Sequence, residues 1–268
     1  MPLEANYRMK HSITFLNQTQ PIVWKRILSV LIALSLWQIV SMVLGLGFLL
    51  PSPLTVLVSL GKLSLQPAFY QTILFSFLRI VAGFLSALIL GFVLALLAGR
   101  FPIAETFLWP YVITIKSVPV ASFIIISLIW LTTGQLTVFI SFLMVFPLIY
   151  TNVLQGIKSA DPQLVEMAHL FRVPYFRRLG YIYLPQIRPY LVSACSMALG
   201  LSWKSGVAAE VIGVVNGSIG EQLYESKIYF ETGNLFAWTL VIVLISVVFE
   251  KGFLWLIKHA FDAWENRE

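Results

Sequence analysis

The residues able to do chemistry in this chain are few and scattered. The three histidines, His11, His169 and His259, lie far apart, and no HExxH or CxxC spacing joins them into a metal set. Asp161 and Asp262 are the only aspartates, so clustered aspartates are absent. No GxxxxGK[ST] loop is present, which leaves the chain without a phosphate cradle for ATP. No Ser/His/Asp set suggests itself. Cys195 is the single cysteine, rules out an intrachain disulfide, and reads as a small buried hydrophobe in an apolar run. What remains is charge. Arg172, Arg177 and Arg178 crowd the polar stretch Asp161 to Pro185, with Arg188 just beyond. Their chemistry is charge pairing with a docked partner. Arg79 and Lys204 fall inside apolar runs, where a charge costs roughly 2.5–3.5 kcal/mol and is a functional candidate by default. Both count to the outer half of a bilayer and could present positive charge to an anion. Arg79 also reads as a structural group that snorkels, or pairs with Glu210 or an outer carbonyl. Lys204 sits among Gly200, Ser202, Ser205 and Gly206, where packing gives no reason for a lysine. Lys204, Ser202, Arg79 and Glu210 are therefore the candidate lining of a path. Lys116 reads as snorkelling to the inner interface.

The elements that must hold these groups are membrane helices. Hydrophobic residues make up 59% of the chain and charged ones 11%, against about 25% charged in a soluble domain. Mean hydropathy is +0.87. The fold class is all-α: a polytopic membrane protein with six transmembrane helices in one domain. The net charge of +6 fits loops facing anionic lipid, not nucleic acid. Residues 1–26 form a basic N-terminal segment, placed in the cytoplasm by the positive-inside rule. The transmembrane unit covers 27–257, and 258–268 is a short cytoplasmic tail. Spans are expected at about Ile27–Leu50, Ile73–Ala98, Trp109–Leu131, Leu136–Leu154, Ile187–Ala209 and Leu235–Ile257. The first is too long for a signal-peptide core and is taken as a retained anchor. Leu54–Leu65 suits a short helix on the outer surface. Gly83, Ala87 and Gly91 repeat every four residues, a small-residue face for close helix packing. Pro110 and Pro119 predict a kinked or broken third span. An acidic outer segment carries Glu210, Glu221, Glu225 and Glu231. The tryptophans mostly fall near span ends, as an aromatic belt would.

Between the fourth and fifth spans lies the polar loop 158–186. Asp161 suits an N-cap and Pro162 the first helical position. Val173-Pro174 interrupts that helix, because the residue before proline is pushed from helical geometry. A second short helix follows, closed by Leu184-Pro185. This stretch resembles the cytoplasmic coupling loop, the EAA loop, of binding-protein-dependent ABC importer permeases. Glu166, Met167 and Ala168 stand at the E-A-A positions, and Ile182, Leu184 and Pro185 at those of I-x-L-P. Met167 replaces an alanine, and Arg172 stands where the family has glycine, although arginine resists positive φ. Further likeness lies in Leu50-Pro51-Ser52-Pro53, Ser76-Phe77-Leu78-Arg79 with Gly83-Phe84, Ser117-Val118-Pro119 and Ala208-Ala209-Glu210, and covers about Leu50 to Leu256.

The resemblance is to the group that imports nitrate, sulfonates, taurine and thiamine-precursor pyrimidines. It implies the type I importer permease fold in a bacterial inner membrane, with both termini cytoplasmic. It implies a second permease copy, a homodimer or like-paired dimer. Two cytoplasmic ABC ATPase subunits would carry ATP and Mg, and a substrate-binding protein would sit outside. This chain itself would hold no cofactor. Asp161, Glu166, Met167, Ala168, Arg172, Pro174, Ile182, Leu184 and Pro185 would form the ATPase-coupling loop. A self-sufficient secondary carrier or channel is the alternative. It would need ion-coupling acids within spans, and Glu210 and Glu250, the only candidates, read as lying near span ends.

Overall fold

The computed structural model describes residues 21–45, 47 and 49–265. The expectations for His11 and for most of the basic N-terminal segment lie outside the described residues. The described chain is helical. α1 (Pro21–Leu44) is followed by α2 (Pro53–Ser64), α3 (Pro67–Arg100), α4 (Pro102–Ser117), α5 (Val120–Ser127) and α6 (Thr133–Lys158). α7 (Pro162–Leu170) and α8 (Tyr175–Arg178) form a hairpin. A π-helical stretch, Leu179–Tyr183, leads into α9 (Leu184–Gly213), and α10 (Ile219–Ile228) and α11 (Thr232–Glu265) complete the order.

The starts of these helices follow local rules. Pro53, Pro67, Pro102 and Pro162 each stand in the first turn, where a missing N–H costs no helical bond. Ser52 caps α2 by accepting from Thr55 N–H at 3.2 Å.

α6 is the axis of the bundle. It packs along α3 on one side and α9 on the other, and Leu136, Ile140, Val145, Ile149 and Val153 are fully buried. The small-residue face of α3 makes this possible. A Cβ on Gly83 would stand 2.5 Å from the Val138 carbonyl oxygen, and one on Gly91 3.1 Å from Ile149 Cγ2. Backbone thus approaches backbone, as apolar helices do in lipid.

Among the described residues four helices are long and apolar enough to cross a membrane: Trp24–Leu44, Pro67–Arg100, Thr133–Lys158 and Thr232–Ala263. The pair α4–α5 passes that test jointly but bends by 102°. α9 has 30 residues, about 45 Å at 1.5 Å each, long enough to cross. These elements are compatible with six spans.

Several expectations need correction. The first span ends at Leu44, well before Leu50. Only Pro119 breaks the third span, because it follows Val118 in extended geometry at the bend; Pro110 is accommodated inside α4. The acidic segment contains a helix, α10, and Glu210 is not part of that exposed segment but sits buried inside α9. Trp203 and Trp238 are buried, so neither belongs to an interfacial belt. Glu250 lies near the middle of α11 and accepts a 2.7 Å hydrogen bond from Ser196.

Candidate functional site

The hairpin is built by caps. Asp161 Oδ1 accepts from Gln163 N–H at 2.9 Å and fixes the start of α7. At the other end Val173 N–H donates to Ala168 O at 2.9 Å, and Arg172 N–H to His169 O at 3.0 Å. This pair of bonds is a Schellman closure, which needs its central residue in left-handed geometry. Arg172 supplies it at φ 52°. The arginine that resists such a φ adopts it because two orphan carbonyls of α7 are satisfied in return, at a backbone cost of roughly 1–2 kcal/mol. Pro174 then caps α8.

The second arm departs from expectation. Leu184-Pro185 does not close it. Tyr175 to Gly213 runs as one uninterrupted helical rod through the π-helical stretch. Leu184 N–H reaches back to Leu179 O, a five-residue step. Pro185 cannot donate and its ring crowds the preceding turn, and the widened π turn makes room for it. The first arm joins α6 through the short turn 159–161. The hairpin therefore connects the two helices at the centre of the bundle, one of them without any hinge.

Its surface is exposed and apolar at the tip. Leu170 is 82% exposed, Phe171 77% and Phe176 83%. Glu166, Met167 and Asp161 are exposed beside them, Pro174 and Pro185 are exposed further along, and Ile182 and Leu184 are half-buried. Ala168 is the buried member of the set. Two ion pairs brace the same end of the bundle, Lys158 with Glu105 and Arg188 with Asp262, each at 2.5 Å.

The intramembrane candidates separate into two places. Glu210 has no exposed surface. Its Oε2 accepts from Ser76 Oγ at 2.8 Å and from Gly220 N–H at 3.2 Å, while Ser76 Oγ accepts from Ile219 N–H at 2.9 Å. One carboxylate thus ties α9, α3 and the start of α10 together. A Cβ on Gly220 would fall 2.2 Å from Glu210 Cβ, so only glycine lets α10 approach. Neither Arg79 nor Thr137 makes a hydrogen bond to Glu210 among the described residues. Arg79 forms no ion pair with it among the described residues, and its guanidinium lies 3.6 Å from the Phe75 ring centroid. Arg79 Nη1, Thr137 Oγ1 and Glu210 Oε1 are buried without a protein partner.

Lys204 is elsewhere. Ser202 and Lys204 stand about 200° apart around α9. Ser202 is fully buried, with Oγ donating to Leu199 O at 2.8 Å. Lys204 is exposed and has no hydrogen bond or ion pair among the described residues. It continues an open stripe of Ser193, Met197 and Gly200, and a Cβ on Gly200 would meet nothing within 4 Å. The sequence reading missed Ser76 and Gly220 as partners of Glu210. It also missed the exposed apolar residues of α4 and of the turn after α5, where Phe107, Trp109, Ile129 and Trp130 are exposed.

The described residues form a helical unit with long apolar helices and an exposed, apolar-tipped hairpin. Residues 87–260 match the family model described as binding-protein-dependent transport system inner membrane component, and the chain belongs to that family. It is similar to a Bacillus subtilis protein named for aliphatic sulfonates transport, the permease SsuC, at 24% identity over 88% of this chain and 85% of the relative. It is also similar to the taurine transport system permease protein TauC of Escherichia coli, at 23% identity over 86% of this chain and 85% of that one. The bicarbonate transport system permease protein CmpB of Synechococcus elongatus shares 26% identity over 74% of this chain and 68% of that one. The chain is the permease of an ABC importer, working with an ATPase and a binding protein.

Proposed function

We propose that two copies of this chain form the translocation path for a small oxyanion-bearing solute, and that the α7–α8 hairpin is the lever moved by the ATPase. The observation that carries the reading is the continuous rod from Tyr175 to Gly213, with exposed Leu170, Phe171 and Phe176 at its driven end. Each of two cytoplasmic ATPase subunits holds one hairpin in a surface groove. ATP and Mg bind to those ATPases and draw them together. The hairpins follow, α6 and α9 tilt with them, and the cavity between the permease copies turns from inward-open to outward-open. Differential contacts in the two states supply the work. In this arrangement both termini are cytoplasmic, and α2 and α10 face the external binding protein. The unpartnered faces of α4 and α5 meet the second copy.

The solute's charge class rests on Lys204 and on the relatives named for sulfonates, taurine and bicarbonate. An ammonium without a partner, on an open stripe of a spanning helix, attracts an anion. The test is uptake into proteoliposomes holding this chain with its ATPase and binding protein. Uptake of a sulfonate-type solute is expected to require ATP and the binding protein. Lys204→Met is expected to cut uptake at least about tenfold, the worth of one charge contact, without loss of the assembled complex. Loss of assembly at unchanged uptake per complex would make Lys204 an interface residue instead.

A further inference from the structure

The geometry points to a binding site for a phosphate group beneath the hairpin, separate from the path the solute takes. A pocket of about 180 Å³ lies where the end of α3, the end of α6 and the hairpin meet. At ~30 Å³ per water, that is room for a phosphate group with a few waters. Arg100 and Arg178 supply two guanidinium groups to its wall, with His169 and Tyr183 beside them and Leu96 and Ile157 forming an apolar floor. No carboxylate lines it.

Both guanidinium groups are held in place by neighbours other than carboxylates. Arg178 Nη1 is engaged with His169 Nε2 at 2.6 Å, and His169 Nδ1 lies 2.9 Å from Val165 O. These contacts fix the neutral ring with Nδ1–H donating to Val165 and Nε2 accepting from Arg178. Arg178 Nε is left buried without any acceptor. Arg100 has no ion pair among the described residues; its guanidinium lies 4.5 Å from the Tyr175 ring centroid. At this end of the bundle Glu105 pairs with Lys158 and Asp262 with Arg188, and the hairpin's acids Asp161 and Glu166 are exposed and do not line the pocket. Two arginines without an ion pair among the described residues, on the wall of one polar pocket, together call for an oxyanion, and planar guanidinium forks match a phosphate.

Depth narrows the source. Arg100 is the last residue of the long apolar α3, and Leu96 below it belongs to the span. The pocket mouth therefore stands at headgroup level, where basic pockets meet phospholipid phosphates. The same donors would take inorganic phosphate from solution. The inference does not depend on which solute is carried. A phosphate here would clamp the hairpin to the ends of α3 and α6.

The test uses the full chain in nanodiscs. Spin-labelled phosphatidylglycerol is compared with spin-labelled phosphatidylcholine for the fraction immobilised by the protein. In a second arm, phosphatidylcholine-only discs are titrated with inorganic phosphate and read by phosphorus line broadening. A phosphatidylglycerol preference of at least about fivefold is expected, as two nearby basic groups allow. Arg100→Gln combined with Arg178→Gln is expected to remove it. Arg177→Gln, which deletes an exposed arginine outside the pocket, is expected to leave it. Preference without inorganic phosphate binding assigns the site to lipid; broadening by inorganic phosphate that the double variant abolishes assigns it to free phosphate. Equal retention of both lipids with no broadening overturns the site. So does a preference that survives the double variant, or one that Arg177→Gln removes equally. If the double variant does not fold, the two wild-type arms and competition between them decide.

Discussion

Replacing Leu170 and Phe171 together with glutamate is expected to abolish ATP-driven uptake while leaving the chain folded in the membrane. Both side chains project from the hairpin tip and make little contact within the chain. Substitutions at such exposed positions usually change stability by only about 0.5 kcal/mol. An apolar anchor buried in a partner's groove is worth about 2–4 kcal/mol. Losing two, with two carboxylates forced against the groove, weakens the ATPase complex by more than about 100-fold. The measurement is co-purification of the ATPase with the variant, alongside its melting temperature. Retained ATPase binding with full uptake would remove the tip from the coupling interface. An unchanged melting temperature with lost ATPase is the expected pattern.

The second large effect is expected at the opposite end of the bundle. Gly220→Ala is expected to prevent stable folding, because the new methyl would fall 2.2 Å from Glu210 Cβ and 2.5 Å from its carbonyl carbon. Backbone cannot yield there, so α10 must be displaced. Glu210→Ala is expected to destabilise by about 2–4 kcal/mol, since the buried Gly220 N–H and Ser76 hydroxyl lose their acceptor. Glu210→Gln keeps an oxygen for both donors and is expected to lose far less. Thermal unfolding of the three variants in detergent checks the order. Equal, small losses would show that the carboxylate does not tie α3, α9 and α10 together.

The parts of this protein that could be read from its residues are those governed by local physics. Asp161-Pro162 announces α7 because a carboxylate cap and a fixed proline φ act within one turn. The Gly83, Ala87 and Gly91 stripe announces a close helix contact because its period is that of a helix face. α10 carries a readable start as well: Ser218 accepts from Glu221 N–H at 3.0 Å, the serine and glutamate spacing of a capping box.

Where two rules competed, the residues alone did not decide. Pro185 reads as a stop, yet a π turn absorbs it and keeps the rod intact. Arg172 reads as hostile to a left-handed turn, yet two backbone hydrogen bonds hold it there. The hydrogen bond from Ser76 to Glu210 joins residues 134 positions apart, and no local signal can reach across that separation. The same holds for the arginine pocket, whose members come from α3, α6, α7, α8 and the π-helical stretch. The family itself was legible through the hairpin's likeness to the EAA loop. Its mechanical continuity with α9 required the fold.

The most direct measurement is thiol labelling at the hairpin tip. Cys195 is buried and is the only cysteine, so Cys195→Ser with Phe171→Cys places one reactive thiol at a position of known exposure. A membrane-impermeant maleimide is applied to sealed vesicles of both orientations, with and without the ATPase bound. Labelling from the cytoplasmic face only, blocked when the ATPase is present, is the predicted result. Labelling from the external face, or labelling that the bound ATPase leaves unchanged, would contradict a lever driven from inside.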